Sequence, residues 1–303
     1  PFEINYRCKG LSFIFGQKGG IDLVKTFRKS NLFRLAKEII NLPVKNYDLV
    51  INDFEPVSAW ACKVRGIKCV GLSHQAAVIS LNAPKPNHTD WIGKAILHNY
   101  APTKKNIGFH FKAYNKSTFT PVIRQEIRQL ETTKQDFYLV YLPAYSDEIL
   151  TEVFTKISSV RWHVFSKHAK SEKFHKNVWI RPINNGQFIQ NLAACNGLLC
   201  GAGFEAPAEA LYLKKKLLVI PMKMQYEQAC NAAALKEMGV FVLQEFNSSK
   251  IPFIAMWIKE TSMVNVNYQD NTKQILIQLL QENLNFIEES QSSLEQPKPI
   301  FNY

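Results

Sequence analysis

No run among the 303 residues stays apolar for the ~18 residues that a bilayer-spanning helix needs. The chain opens without the charged, apolar and small-residue pattern of a secretory leader. The six cysteines (8, 62, 69, 195, 200 and 230) form no Cys-x-x-Cys pair, and most lie inside apolar stretches. That argues against a disulfide frame or a zinc site and predicts reduced core thiols in a cytoplasmic protein. There is no Asp-x-Asp pair of the kind that holds a divalent cation on a diphosphate, and no structural metal or cofactor is expected. Zinc-finger, RNP and arginine-rich helical patterns are absent too, so no nucleic-acid partner is expected. Repeats and low-complexity blocks are likewise missing.

What is present suits a folded enzyme-sized protein. Hydrophobic residues make up 46% and charged residues 20% of the chain, enough for a real core in one large or two medium domains. The unusual bulk number is a net charge of +12. It favours an acidic substrate or an anionic membrane face met peripherally from the inner side, with a solvated basic surface as the simpler alternative.

The chemistry concentrates in residues 196–240. An apolar run at 197–200 meets the turn Gly201-Ala202-Gly203, followed by a helical pattern over 205–213. A second apolar run, 217–220, stops at Pro221, and after a polar loop a second helix ends near Gly239. Strand, turn, helix, strand, loop and helix make the repeating unit of a parallel α/β sheet. Ligands in such sheets sit where strand ends meet helix N-termini. Gly201 and Gly203 let a ligand approach the backbone, and the following helix presents unpaired N–H groups to an anion. Glu209, six residues after Gly203, suits hydroxyls such as those of a ribose; a plain structural turn is the alternative. Glu227, Gln228 and Asn231 crowd the first turns of the second helix, with donors and acceptors suited to sugar hydroxyls or, more blandly, a polar helix start.

Together these residues resemble the nucleotide-sugar half of a GT-B glycosyltransferase, the group that includes UDP-glycosyltransferases and the peptidoglycan lipid-intermediate N-acetylglucosaminyltransferase. The shared pattern is the glycine turn, Glu209-Ala210, the strand ending in Pro221, Glu227-Gln228-x-x-Asn231-Ala232 and Gly239. The resemblance implies two Rossmann-like, doubly wound parallel-sheet domains facing a cleft. It also implies metal-independent transfer of a hexosyl unit from a nucleotide-diphospho-sugar, UDP favoured, to an unidentified acceptor. It would set Gly201, Gly203, Phe204 and Glu205 by the diphosphate, Glu209 by the ribose and Glu227 and Gln228 by the sugar. Asn231 joins that donor set, Ile183 would pack near the base, and Ser146 would lie beside the phosphates or cap the helix 147–157. Leu199-Cys200 stand where relatives often carry His or Arg, and Phe204-Glu205 replace the usual Ser/Thr. More of the diphosphate binding therefore falls to the backbone.

The first half reads as the acceptor side, 1–133, with the donor side at 134–303 and a C-terminal helix, 271–295, crossing back. Nothing in 1–30 matches the usual opening strand and glycine turn, although 16–20 is glycine-rich, so a missing first segment is expected. A basic helix is predicted within 21–41, a strand over 47–53, a helix over 57–65 and a strand over 66–72. Residues 82–118 read as irregular basic and aromatic loops around a helix near 91–100, and 121–133 carries no strong core pattern. Asp53 and His74 end consecutive strands and are the candidate catalytic bases, or else a helix cap and a backbone-satisfied histidine. A related sugar-nucleotide epimerase and a non-catalytic nucleotide-sugar binder share these donor features.

Overall fold

The computed structural model describes residues 4–11, 31–87 and 90–283, and within them two sheets carry the architecture. The first holds β1 (Val50–Asn52), β2 (Cys69–Ser73), β3 (Lys105–Phe109) and β4 (Thr118–Phe119), all parallel and side by side in chain order. The second holds β5 (Tyr138–Tyr141), β6 (Trp162–Ser166), β7 (Lys173–His175), β8 (Val178–Pro182), β9 (Gly197–Gly201), β10 (Lys216–Ile220) and β11 (Phe241–Val242). Its order is β11-β10-β9-β5-β6-β8-β7, parallel except for β7. The chain winds outward from β5 through β6 and β8, then returns to the other side of β5 for β9. The winding therefore reverses between β5 and β9.

The apolar runs make strands because both faces of the second sheet are covered. Leu139, Leu198, Cys200, Leu217 and Val219 point into one core, while Tyr138, Val140, Leu199, Leu218 and Ile220 point into the other. In the first half, the helix His74–Ile79 comes down directly on β3. A Cβ at Gly108 would lie 2.4 Å from the Ala77 backbone nitrogen, so only glycine permits that approach. The helix Thr272–Asn283 lays Ile275 and Leu279 against Val70 and Ile107 of the first sheet. Lys105 and Glu282 pair beside it.

Several local expectations change. The loops expected over 82–118 contain β3, a central strand, which hides in the sequence because Lys105 and Asn106 are exposed and Gly108 breaks the apolar pattern. The strand expected over 47–53 shortens to β1, since Val44–Asn46 turns as a 3-10 helix and only three residues pair. Residues 121–133 do supply core: Ile123 and Ile127 are buried with Phe137 and Leu139 beneath the second sheet. The edge strand β7 exposes all three residues, so no alternation marks it. The helix Ile251–Lys259 is apolar almost throughout, a pattern that periodicity cannot assign. The glycine-rich 16–20, the first part of the basic helix and the tail beyond 283 lie outside the described residues; Leu32–Asn41 is the described part of that helix. All six cysteines are free, and five are buried. No helix of the described residues is long and apolar enough to cross a membrane.

Candidate functional site

The carboxyl ends of strands from both sheets border one cavity of about 570 Å³, in the size range of small-molecule sites. It sits over the reversal between β5 and β9, where open α/β sheets bind their ligands. Asp53, His74 and Gln75 line it from the first half; Gly201, Gly203, Phe204, Glu205, Glu227 and Gln228 line it from the second. Among the described residues no Lys or Arg lines it. An anion bound there would have to rely on backbone N–H groups.

The helices provide them. In the first half, Leu32–Asn41, Pro56–Arg65, His74–Ile79 and Trp91–Asn99 each begin with a side chain that caps their first N–H groups. The helices after β5, β9 and β10, which are Asp147–Phe154, Glu205–Tyr212 and Tyr226–Glu237, begin with no such cap. Uncapped N–H groups and the positive end of the helix dipole make an anion site. Gly203 lies just before the second of these helix starts. A Cβ there would meet nothing within 4 Å, so nothing in the protein requires glycine at this turn. Gly203 itself lines the cavity.

His74 joins the two halves. Its ring stacks on Phe204 at 3.8 Å and 9°. Nδ1 lies 2.7 Å from the Phe109 carbonyl and Nε2 lies 2.8 Å from Asn231 Oδ1. Asn231 Nδ2 donates in turn to the Ala202 carbonyl at 3.1 Å. Burial holds the His74 pKa down, opposed by Glu227, Phe109, Asn231 and Asp53. His110, wholly buried beside it, is pushed down to about 2 by burial, with smaller effects from His74 and Lys85. Gln75 Nε2 donates to Glu227 Oε2 at 3.2 Å, a second bond between the halves.

Both Asp53 and His74 line the cavity, but Asp53 is exposed where His74 is buried. Burial raises its pKa first and the Glu205 carboxylate adds to this, while His74 opposes it. A carboxylate so raised is a stronger base than one at the ordinary aspartate value.

Four residues singled out in the sequence lie elsewhere. Asn231 is fully buried behind His74. Ile183 is 49% exposed and not on the cavity wall. Ser146 stands at the N-cap position of Asp147–Phe154 without capping it. Glu209 is buried and accepts from Arg124 Nε and Nη2, one edge of the guanidinium, at 2.7 and 3.1 Å, so a ribose would have to displace that pair. Arg124 also reaches Glu126 and Asn185, so together with Glu209 it ties the segment between the sheets to the helices Asn185–Ala194 and Glu205–Tyr212. No sequence signal marks Arg124, because its distant partners Glu209 and Asn185 are 85 and 61 residues away. Pro143, Ala144 and Tyr145, in the same loop after β5 as Ser146, do line the cavity. Among the described residues no group of three or more His, Cys, Asp or Glu side chains is placed to hold a metal ion.

Residues 24–255 match the family described as Glycosyl transferase family 1. No curated protein matches the sequence. Among solved structures the chain is similar to LpCGTa in complex with UDP, at 12% identity over 79% of this chain and 75% of that one, TM-score 0.52. It is also similar to Os79 from O. sativa in complex with U2F and trichothecene, at 11% identity over 83% and 76%, TM-score 0.51. A third is Phytolacca americana UGT2 complexed with UDP-2fluoro-glucose and pterostilbene, at 13% identity over 85% and 75%, TM-score 0.50. At these identities the likeness concerns the fold.

Proposed function

We propose, on the premise that the chain belongs to glycosyl transferase family 1 and is a glycosyltransferase of GT-B fold, that it moves a hexosyl unit from a UDP-sugar to a hydroxyl acceptor without a metal. The observation that carries the donor site is the glycine turn: Gly203 lines the cavity with open space where a Cβ would be, next to a helix start that no side chain caps. The diphosphate would lie there, held by backbone N–H groups of residues 203–205. Those preorganised dipoles would also stabilise the charge that develops on the leaving group, work a divalent cation does elsewhere. The bound UDP and UDP-2fluoro-glucose in two similar structures favour uridine as the base.

In the transfer the acceptor oxygen bonds to the anomeric carbon while the bond from that carbon to the diphosphate breaks. The electron pair leaves with UDP, and the hydroxyl proton passes to a base. Asp53 suits that task better than His74, whose two ring nitrogens already face protein acceptors. His74 instead seats Phe204 of the glycine turn by stacking. Glu227 and Gln228 would meet the sugar. Gln228 Oε1 accepts from the Met222 N–H at 2.9 Å, which leaves its NH₂ group for a sugar hydroxyl. Gln228→Ala should weaken UDP-glucose binding by about 1 kcal/mol, the scale of one hydrogen bond, and leave UDP binding nearly unchanged. Calorimetry with both ligands checks this; equal losses would move Gln228 away from the sugar.

A further inference from the structure

We propose that a second cleft, beside the donor cavity, holds a neutral polyhydroxylated ring of the acceptor, such as a sugar or cyclitol, with Asp53 standing between the two hollows. The proposal deepens the glycosyl-transfer reading and rests on it. The cleft measures about 210 Å³ and is lined by Asn52, Phe54, Ser73, His98, Thr103 and Asn106 among others. Pockets for drug-sized ligands span roughly 300–1,000 Å³, so this one suits a single ring.

Its placement follows from one turn. Ser73 lines both hollows. Asp53 lines the donor cavity, while its neighbours Asn52 and Phe54 line the cleft. The turn is held in a conformation a bulky residue rarely adopts: Phe54 has φ +50°. Left-handed backbone in a non-glycine residue costs on the order of 1–3 kcal/mol and persists only where the surroundings impose it. Here the Phe54 ring stacks on Tyr100 at 5.0 Å and packs against the cluster of Val78, Leu97 and Cys230. Asn52 pins the other side, donating to the Glu55 carbonyl and to Ser58 Oγ, both at 2.8 Å.

The lining selects the ligand's chemistry. Among the described residues no Lys, Arg, Asp or Glu lines the cleft, which disfavours a phosphate or an ammonium group. Partial burial and the charges of Lys94 and Lys85 hold the pKa of His98 down, which favours its neutral form. The polar groups that remain fit hydroxyls. Ser73 Oγ accepts from the Ala76 N–H at 3.1 Å and keeps its own hydrogen to donate. Thr103 Oγ1 donates to Asn106 Oδ1 at 2.6 Å, leaving the threonine lone pairs and the Asn106 NH₂ group for a ligand. A ring seated there would point a hydroxyl across the shared wall. Its oxygen attacks the anomeric carbon as the bond to the diphosphate breaks, and its proton goes to the Asp53 carboxylate.

The test is saturation-transfer NMR on the full chain with UDP present, using methyl glucoside, glucose 6-phosphate and p-nitrophenol as probes. Methyl glucoside should give the strongest signal. In Thr103→Val/Asn106→Leu, and separately in Asn106→Asp, that signal should fall about tenfold, while UDP affinity by calorimetry stays within about twofold. Asn106 is exposed, so its substitution leaves the fold intact. An unchanged methyl glucoside signal in both variants, or a stronger signal from either other probe, overturns the cleft assignment alone. Failure of the wild-type chain to bind UDP overturns the donor reading and this proposal with it.

Discussion

Replacing Asp53 with Asn is expected to slow sugar transfer by about 10²–10⁴-fold, the contribution of a positioned general base. The same variant should bind UDP as tightly as the wild type or slightly better, because one of the three carboxylates on the cavity wall is gone. It should also keep or raise Tm. Burial and Glu205 lift the Asp53 pKa above the ordinary aspartate value. The folded state therefore favours the protonated form, and the ionised carboxylate costs stability at neutral pH. The stabilising contribution appears as pH falls through the raised pKa, and activity falls over the same interval because the base must be ionised to work. Steady-state rates against pH, with calorimetry and thermal melts, measure all three. A variant with wild-type kcat would remove Asp53 from the chemistry.

The second large effect is structural. Arg124→Ala strands Glu209, whose side chain is 5% exposed while that of Arg124 is 40% exposed. Removing one partner of a wholly buried pair costs about 3–5 kcal/mol; the open arginine side lets water in, and about 2–3 kcal/mol is expected. Adding Glu209→Gln to Arg124→Ala should recover a good part of that loss, since a neutral amide tolerates burial better than an orphan carboxylate. Denaturant melts of the two single variants and the double variant give the coupling. Independent, additive losses would mean the pair contributes nothing as a pair. The Glu209→Gln single variant also separates two roles: unchanged UDP affinity leaves Glu209 as the pillar under the glycine turn, whereas a weaker affinity gives it the ribose.

Local order made the second sheet legible. Gly201, Gly203, Pro221, Glu227 and Gln228 lie within one short segment, and strand-turn-helix periodicity places them at strand ends. The family follows from the same segment. The first half resisted because its strands are short and broken by polar residues: β3 begins with Lys105 and Asn106, and β1 pairs over three residues. Long-range contacts left no trace at all. The Arg124–Glu209 pair, the Phe204–His74 stack and the Asn231–His74 bond each join residues that only folding brings together. The sequence marks Asn231 as a polar residue near a helix start, as it does Gln228; only the packing shows that Asn231 is spoken for by His74 and Ala202 while Gln228 reaches the cavity.

The most direct test is calorimetric titration of UDP into the wild-type chain and into Gly203→Val. The new side chain enters open space, so the variant should fold and melt like the wild type. It would fill the place assigned to the diphosphate. Saturable UDP binding by the wild type, lost in a Gly203→Val protein of unchanged Tm, is the predicted result. UDP binding of equal strength in both proteins, or in neither, would contradict the account.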